Sequence, residues 1–215
     1  MSQANVMEAV KSGNMDVLRQ LLARNTALAS SRDSSGVSAF MHAVYRGRTD
    51  IVDLLRESEL ALDIFEAAAV GDVPRLATLV QQNPSLVNTY SADGFSPLHF
   101  AAYFSQPAAA RFLLDHGAHP AAIAKNPTQV TPLHSAAAGR NLPTVRDLLE
   151  HGGPVNARQQ HGWTALHSAA QNGSDEMVSV LLHYGADRTM KNDDGVTASD
   201  LALKAGHPDL AKRLA

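Results

Sequence analysis

Small and apolar positions recur along this chain in a fixed order. Three segments align by eye: Phe95-Ser96-Pro97-Leu98-His99, Val130-Thr131-Pro132-Leu133-His134 and Trp163-Thr164-Ala165-Leu166-His167. Each His is followed by an Ala pair, Ala101-Ala102, Ala136-Ala137 or Ala169-Ala170. A Leu-Leu comes 14 residues after each His, at Leu113-Leu114, Leu148-Leu149 and Leu181-Leu182. A glycine lies 4 residues past the first Leu, at Gly117, Gly152 and Gly185. This order predicts two short helices per unit. Ser38, Ser96, Thr131, Thr164 and Thr197 stand where a helix is capped, and Pro97 and Pro132 suit its first turn. The second helix opens with an acid or proline at Asp16, Asp50, Pro74, Pro107, Pro143 or Glu176. It stops at a glycine able to take the left-handed conformation. Turn formers follow at Ser34-Ser35-Gly36, Ala92-Asp93-Gly94, Gln160-His161-Gly162 and Asp193-Asp194-Gly195.

Fainter copies extend the pattern in both directions. The His slot is filled at positions 7, 41, 65, 99, 134, 167 and 200, with spacings of 34, 24, 34, 35, 33 and 33. Met7, Met41, Phe65 and Asp200 replace His in four of them, and Ala9, Ala43 and Ala67 keep the first small position. A glycine six residues past the slot marks Gly13, Gly47, Gly71 and Gly173. The short step from 41 to 65 leaves no room for a turn unit between Leu55 and Ile64. Residues 7–55 map onto 65–113 at one offset of 58, as if a two-repeat block had been duplicated. Near Asn126-Pro127 the fourth unit is longer by two residues.

At these residues the chain resembles the ankyrin repeat family. The resemblance implies an all-α fold, a solenoid of about seven helix pairs with short β-hairpin fingers. One hairpin is missing between repeats two and three. A single domain over 1–215 is expected, with repeats near 4–35, 36–60, 61–94, 95–129, 130–162, 163–195 and 196–215. It also implies a structural role for His99, His134 and His167, each bonded to the Ser or Thr three positions earlier. Partners are expected on a concave face made of fingers and first helices.

Composition narrows the chemistry. The chain has no Cys, which removes disulfides, thiolate metal sites and Cys nucleophiles. Its 21 acids against 18 bases argue against a nucleic-acid binder. Met1 to Val10 lacks a basic segment followed by an apolar run, and no uncharged apolar stretch reaches the ~18 residues of a membrane span. A cytoplasmic monomer without cofactor or metal is expected. Of ten His residues, only His116 and His119 make a plausible metal pair, and no third ligand accompanies them. Phosphate-loop and nucleophile-elbow motifs are absent.

Aromatic residues are only 5% of the chain, so their clustering carries weight. Tyr90, Phe95, Phe100, Tyr103 and Phe104 fall within 15 residues, and Trp163 repeats the finger slot of Phe95. With Tyr45, Arg46 and Arg158 they form the expected partner-binding set. Phe100, Tyr103 and Trp163 are expected to be partly exposed and Phe112 to be core. Phe104 is open between the two. The missing hairpin is expected to leave a notch, with Tyr45 and Arg46 on one side and Phe100 and Tyr103 on the other. The leading expectation is non-catalytic recognition of a protein or peptide. The alternative is a reader of a cationic ligand or modified peptide, caged by Tyr90, Phe95, Phe100 and Tyr103. An enzyme is the distant third.

Overall fold

The computed structural model describes residues 3–58 and 60–215. Met1 and Ser2, which open the segment read against a signal peptide, lie outside the described residues, as does Glu59. Among the described residues, fourteen α-helices form seven consecutive pairs. They cluster into two compact units, residues 1–66 and 67–215, and each is described by itself.

In the first unit, α1 (Gln3–Ser12) and α2 (Met15–Arg24) precede α3 (Ala39–Tyr45) and α4 (Thr49–Glu57). Helix α5 (Ile64–Val70) carries the boundary between the units. The second unit continues with α6 (Val73–Gln82), α7 (Pro97–Tyr103), α8 (Pro107–Asp115), α9 (Pro132–Ala138) and α10 (Leu142–Glu150). It closes with α11 (Ala165–Gln171), α12 (Asp175–His183), α13 (Ala198–Lys204) and α14 (Pro208–Leu214). The offset of 58 holds in three dimensions: Ala39–Tyr45 maps onto Pro97–Tyr103 and Thr49–Glu57 onto Pro107–Asp115. It also predicts a feature the periodicity alone does not, since a 3₁₀ turn at Thr26–Ser30 recurs at Pro84–Asn88. Both are opened by an Asn side chain, Asn25 or Asn83, accepting from the N–H two residues on.

A seven-residue helix is marginal in isolation, so each first helix depends on its ends and its neighbours. The ends are fixed by one repeated motif. The carbonyl of the first small residue accepts an N–H five residues later: Asn14 to Ala9, Arg48 to Ala43, Asp72 to Ala67 and Gln106 to Ala101. The same bond joins Asn141 to Ala136, Ser174 to Ala169 and His207 to Ala202. This closure needs a left-handed residue just before the donor, which is why Gly13, Gly47, Gly71, Gly173 and Gly206 stand there. Ser105 (φ 56°) and Arg140 (φ 55°) take the same conformation without glycine's freedom. The flanking Ala pairs are fully buried, and α7 packs on α9, α9 on α11 and α11 on α13. In the last pair Leu201 and Leu210 are buried while Lys204 and Lys212 are exposed.

The fingers are very short hairpins. Four of them close with one backbone bond spanning four residues: Asp33 to Val37, Ser91 to Phe95, Gln159 to Trp163 and Asn192 to Val196. The first finger adds a second rung, Ala39 N–H to Ser31 O, and among the described residues the pairing goes no further than isolated antiparallel bridges, Arg32 with Ser38 and Lys191 with Thr197. The fourth finger closes from Ala124 to Val130, wider by the two residues near Asn126-Pro127. Between α4 and α5 lie only residues 58–63. There Asp63 caps α5, accepting from the Phe65 and Glu66 N–H groups, while Glu66 Oε2 accepts from the Asp63 N–H at 2.9 Å.

In the second unit each structural histidine joins two elements. His134 Nδ1 accepts the Thr131 N–H at 3.1 Å, which fixes the proton on Nε2, and the Thr131 hydroxyl donates to the same Nδ1 at 2.9 Å. Nε2–H then donates to Ala157 O at 3.0 Å and Trp163 O at 3.2 Å in the next finger. His99 does the same between Ser96 and Val130 O, and His167 between Thr164 and Val196 O. His134→Ala therefore leaves buried partners unpaired, and urea unfolding should show a loss of about 1–3 kcal/mol. His116→Ala, at an exposed helix end, should cost less than about 0.5 kcal/mol. Equal costs for the two variants would contradict the bridging role.

Candidate interaction surface

The aromatic cluster of the fourth repeat is a continuous ladder built on α7. Phe95, closing its finger, meets Phe100 edge-on with ring centres 5.8 Å apart. Phe100 stacks on Phe104 at 6.5 Å with planes 7° apart, and Tyr103 meets Phe104 edge-on at 5.1 Å. The ladder grades from inside to outside. Phe100 is 4% exposed, Phe95 and Phe104 are half-buried, and Tyr103 is 52% exposed. The expectation of a partly exposed Phe100 is thus corrected: its ring is buried under its neighbours. Phe104 falls between the two readings left open for it. Phe112, expected in the core, is half-buried on α8 and stacks on His116 at 4.0 Å.

Two further expectations change with the geometry. Tyr90 is half-buried, and the ammonium of Lys125 sits 4.1 Å from its ring centre. Two of the four rings of the supposed cation cage are therefore committed, Tyr90 to an internal cation and Phe100 to the interior. Arg158 is exposed but engaged, donating to Lys191 O and to Asp193 Oδ1, both at 2.9 Å. It ties its own finger to the next. Trp163 is half-buried beside His167, with ring centres 5.9 Å apart, and its indole stands over an open groove shared with Val130 and Ser168. The sequence signal for that groove was the lengthened fourth finger, which lies along its edge.

The first unit carries its own polar corner. Tyr45 is 41% exposed at the end of α3, and the neighbouring Arg46 donates to His42 O and approaches His42 Nδ1 at 3.2 Å. His42 Nε2 in turn meets Asp33 at 2.7 Å, and this contact holds the Asp33 carboxyl below its usual range. Arg32 reaches from its finger to Asp63 at 2.8 Å. Glu66, 3% exposed, has its carboxyl pushed up by burial and by the charge of Asp63.

None of these groups forms a reacting constellation. Burial drives His99 from 6.5 down to about 4, with the neighbouring His134 adding to the effect, and burial also lowers His134 and His167. All three are neutral at pH 7, with both ring nitrogens already bonded. Among the described residues no group of three or more His, Cys, Asp or Glu side chains is placed to hold a metal ion. His116 Nδ1 is spent on Phe112 O at 2.8 Å. No described helix is long and apolar enough to cross a membrane.

The histidines set a pH dependence with a definite sign. A depressed folded value means the unfolded chain binds the proton first, so stability is complete above 6.5 and falls as pH drops towards about 4. The loss attributable to His99 is on the order of 3 kcal/mol over that window. Urea midpoints should fall between pH 6.5 and 5, and fall less in His99→Asn. A flat midpoint across that range would contradict it.

A family model described as ankyrin repeats, in three copies, matches residues 64–159, 121–192 and 141–215. Among curated proteins, a palmitoyltransferase AKR1 of Gibberella zeae is 39% identical over 56 residues, 26% of this chain and 8% of its own length. The E3 ubiquitin-protein ligase KEG of Arabidopsis thaliana is 36% identical over 171 residues, 69% of this chain and 10% of its own. The human DNA-binding protein RFXANK is 31% identical over 101 residues, 47% of this chain and 39% of its own. The chain thus spans a tenth or less of the first two relatives and well under half of the third.

Proposed function

The chain belongs to the ankyrin repeat family, and from that premise we propose that it is a non-catalytic module recognising a protein or peptide partner. In this reading it acts as a cytoplasmic monomer, and fingers and first helices supply the contact surface. The observation that carries the proposal is the ladder on α7. Tyr103 stands half in solvent on a base of packed rings, so its aromatic area is presented with little freedom left to lose. Interface anchors are enriched in such residues, and they concentrate binding energy. The histidines that would tempt an enzymatic reading are kept neutral by burial, and both of their ring nitrogens are taken up by structural bonds. The formal charge of −3 supports a protein over a nucleic acid as partner. The catalytic and DNA-binding names among the relatives belong to proteins most of whose length this chain does not share.

The test is capture by the tagged chain from its source cell, quantified against two variants. Neither Tyr45 nor Tyr103 fills a slot that defines the repeat. Tyr45→Ala with Tyr103→Ala should therefore leave the circular dichroism and melting temperature within a few degrees of the parent. The same pair should weaken a captured partner by about 2 kcal/mol or more. Capture that survives both changes moves the recognition surface away from Tyr45 and Tyr103. A parent chain that retains nothing above the bare matrix removes the function itself.

A further inference from the structure

We propose that the groove beside Trp163 is a peptide subsite that takes an extended, uncharged segment of a partner protein carrying one bulky apolar side chain. The proposal rests on the recognition reading above and gives it a second station on the same unit, in the fifth and sixth repeats. The groove is open, about 460 Å³, and its walls include Val130, Gln159, Gln160, His161, Trp163 and Ser168. No Asp, Glu, Lys or Arg lines it. The nearest guanidinium, Arg158, is already turned to Asp193 on the adjoining finger. A charge brought into this groove meets no counter-charge and loses hydration, so the chemistry selects against charged segments.

Hydrogen-bonding capacity points to backbone as the complement. Among the described residues no partner is found for the Trp163 indole N–H, nor for the side-chain amides of Gln159 and Gln160. Two carboxamides and an indole donor at the edge of an apolar floor match the alternating N–H and C=O of an extended chain. The indole face offers the stacking surface for the anchor side chain. The loops that form the walls are also unusual. Gln129 (φ 51°) holds the left-handed position that Gly36, Gly94 and Gly195 hold in sister fingers, and His161 (φ 62°) adds a second left-handed residue before Gly162. Non-glycine residues in that region are strained and cluster where a surface is shaped for binding.

Trp163 is the only tryptophan in the chain, so its emission reports on this groove alone. The experiment pans a phage library of random, tryptophan-free dodecapeptides on the full chain. It then titrates the recovered peptides, made synthetically with a dye, by anisotropy and by intrinsic emission. The expected peptides share one Leu, Ile, Met or Phe flanked by uncharged residues and shift the Trp163 emission. Trp163→Ala and Gln160→Ala should each weaken them by about tenfold or more, and Tyr103→Ala by less than about threefold. Gln160→Ala guards against misfolding, because that exposed side chain supports nothing else in the fold. Peptides built around acidic or basic anchors overturn the assigned occupant. Peptides that leave the emission unchanged and are lost with Tyr103→Ala overturn the groove while the recognition reading stands. A library that yields no binder overturns the groove, and the recognition reading then stands or falls on capture by the parent chain alone.

Discussion

The second unit depends on an imidazole that works at both ends. Its Nδ1 accepts the N–H of the residue that caps its own helix, and its Nε2–H donates to a carbonyl of the following finger. One neutral side chain therefore fixes where a helix begins and where the next loop sits. No acid or amide of similar size spans that distance with an acceptor at one end and a donor at the other in a rigid ring. The arrangement requires burial, since exposure would let water compete for both bonds, and burial keeps the ring neutral. Structural role, depressed pKa and lack of chemical availability are one fact seen from three sides.

The places where that residue is missing show what it does. Met41 carries no donor or acceptor of that kind, and Ser38 caps the helix by itself, accepting the Met41 N–H at 3.0 Å. At α5 the cap moves one residue along. Asp63 and Glu66 bond reciprocally, and Arg32 comes from its finger to Asp63 where no new finger is available to receive a histidine. Arg158 occupies the matching finger position in the second unit and clasps the next finger instead. At Asp200 only the capping half is kept, with the carboxylate accepting the Thr197 N–H and hydroxyl at 2.9 and 2.7 Å. The carboxyl is held below its usual range by those bonds.

Fixed spacing made the seven helix pairs, the caps, the duplicated block and the lengthened fourth finger legible in the sequence. These features follow from backbone bonding, which repeats because the backbone repeats. The state of individual aromatic and charged side chains was less legible. Phe100 and Tyr103 lie three residues apart on one short helix, yet one is covered by its neighbours' rings and the other projects past them. Arg158 and Tyr90 read as free finger residues, but each meets a partner contributed by the following finger, Asp193 or Lys125. Such pairings join residues about a repeat apart, and periodicity specifies the slot without specifying which chemical types will meet there.

The finger-closing position explains how a repetitive scaffold carries a non-repetitive surface. Val37, Phe95, Val130, Trp163 and Val196 all close their fingers with a backbone carbonyl. In three of them, Val130, Trp163 and Val196, the same carbonyl also accepts from the preceding histidine. The structural demand on this position therefore falls on a backbone atom that every residue possesses. The side chains take no part in that bond; all five are half-buried, with Phe95 packed on His99 and Phe100 and Trp163 on His167. Val, Phe and Trp all occupy this position, and they differ greatly in the apolar area they carry. Recognition can be rewritten at these positions, repeat by repeat, while the imidazole-to-carbonyl bonds beneath them stay the same.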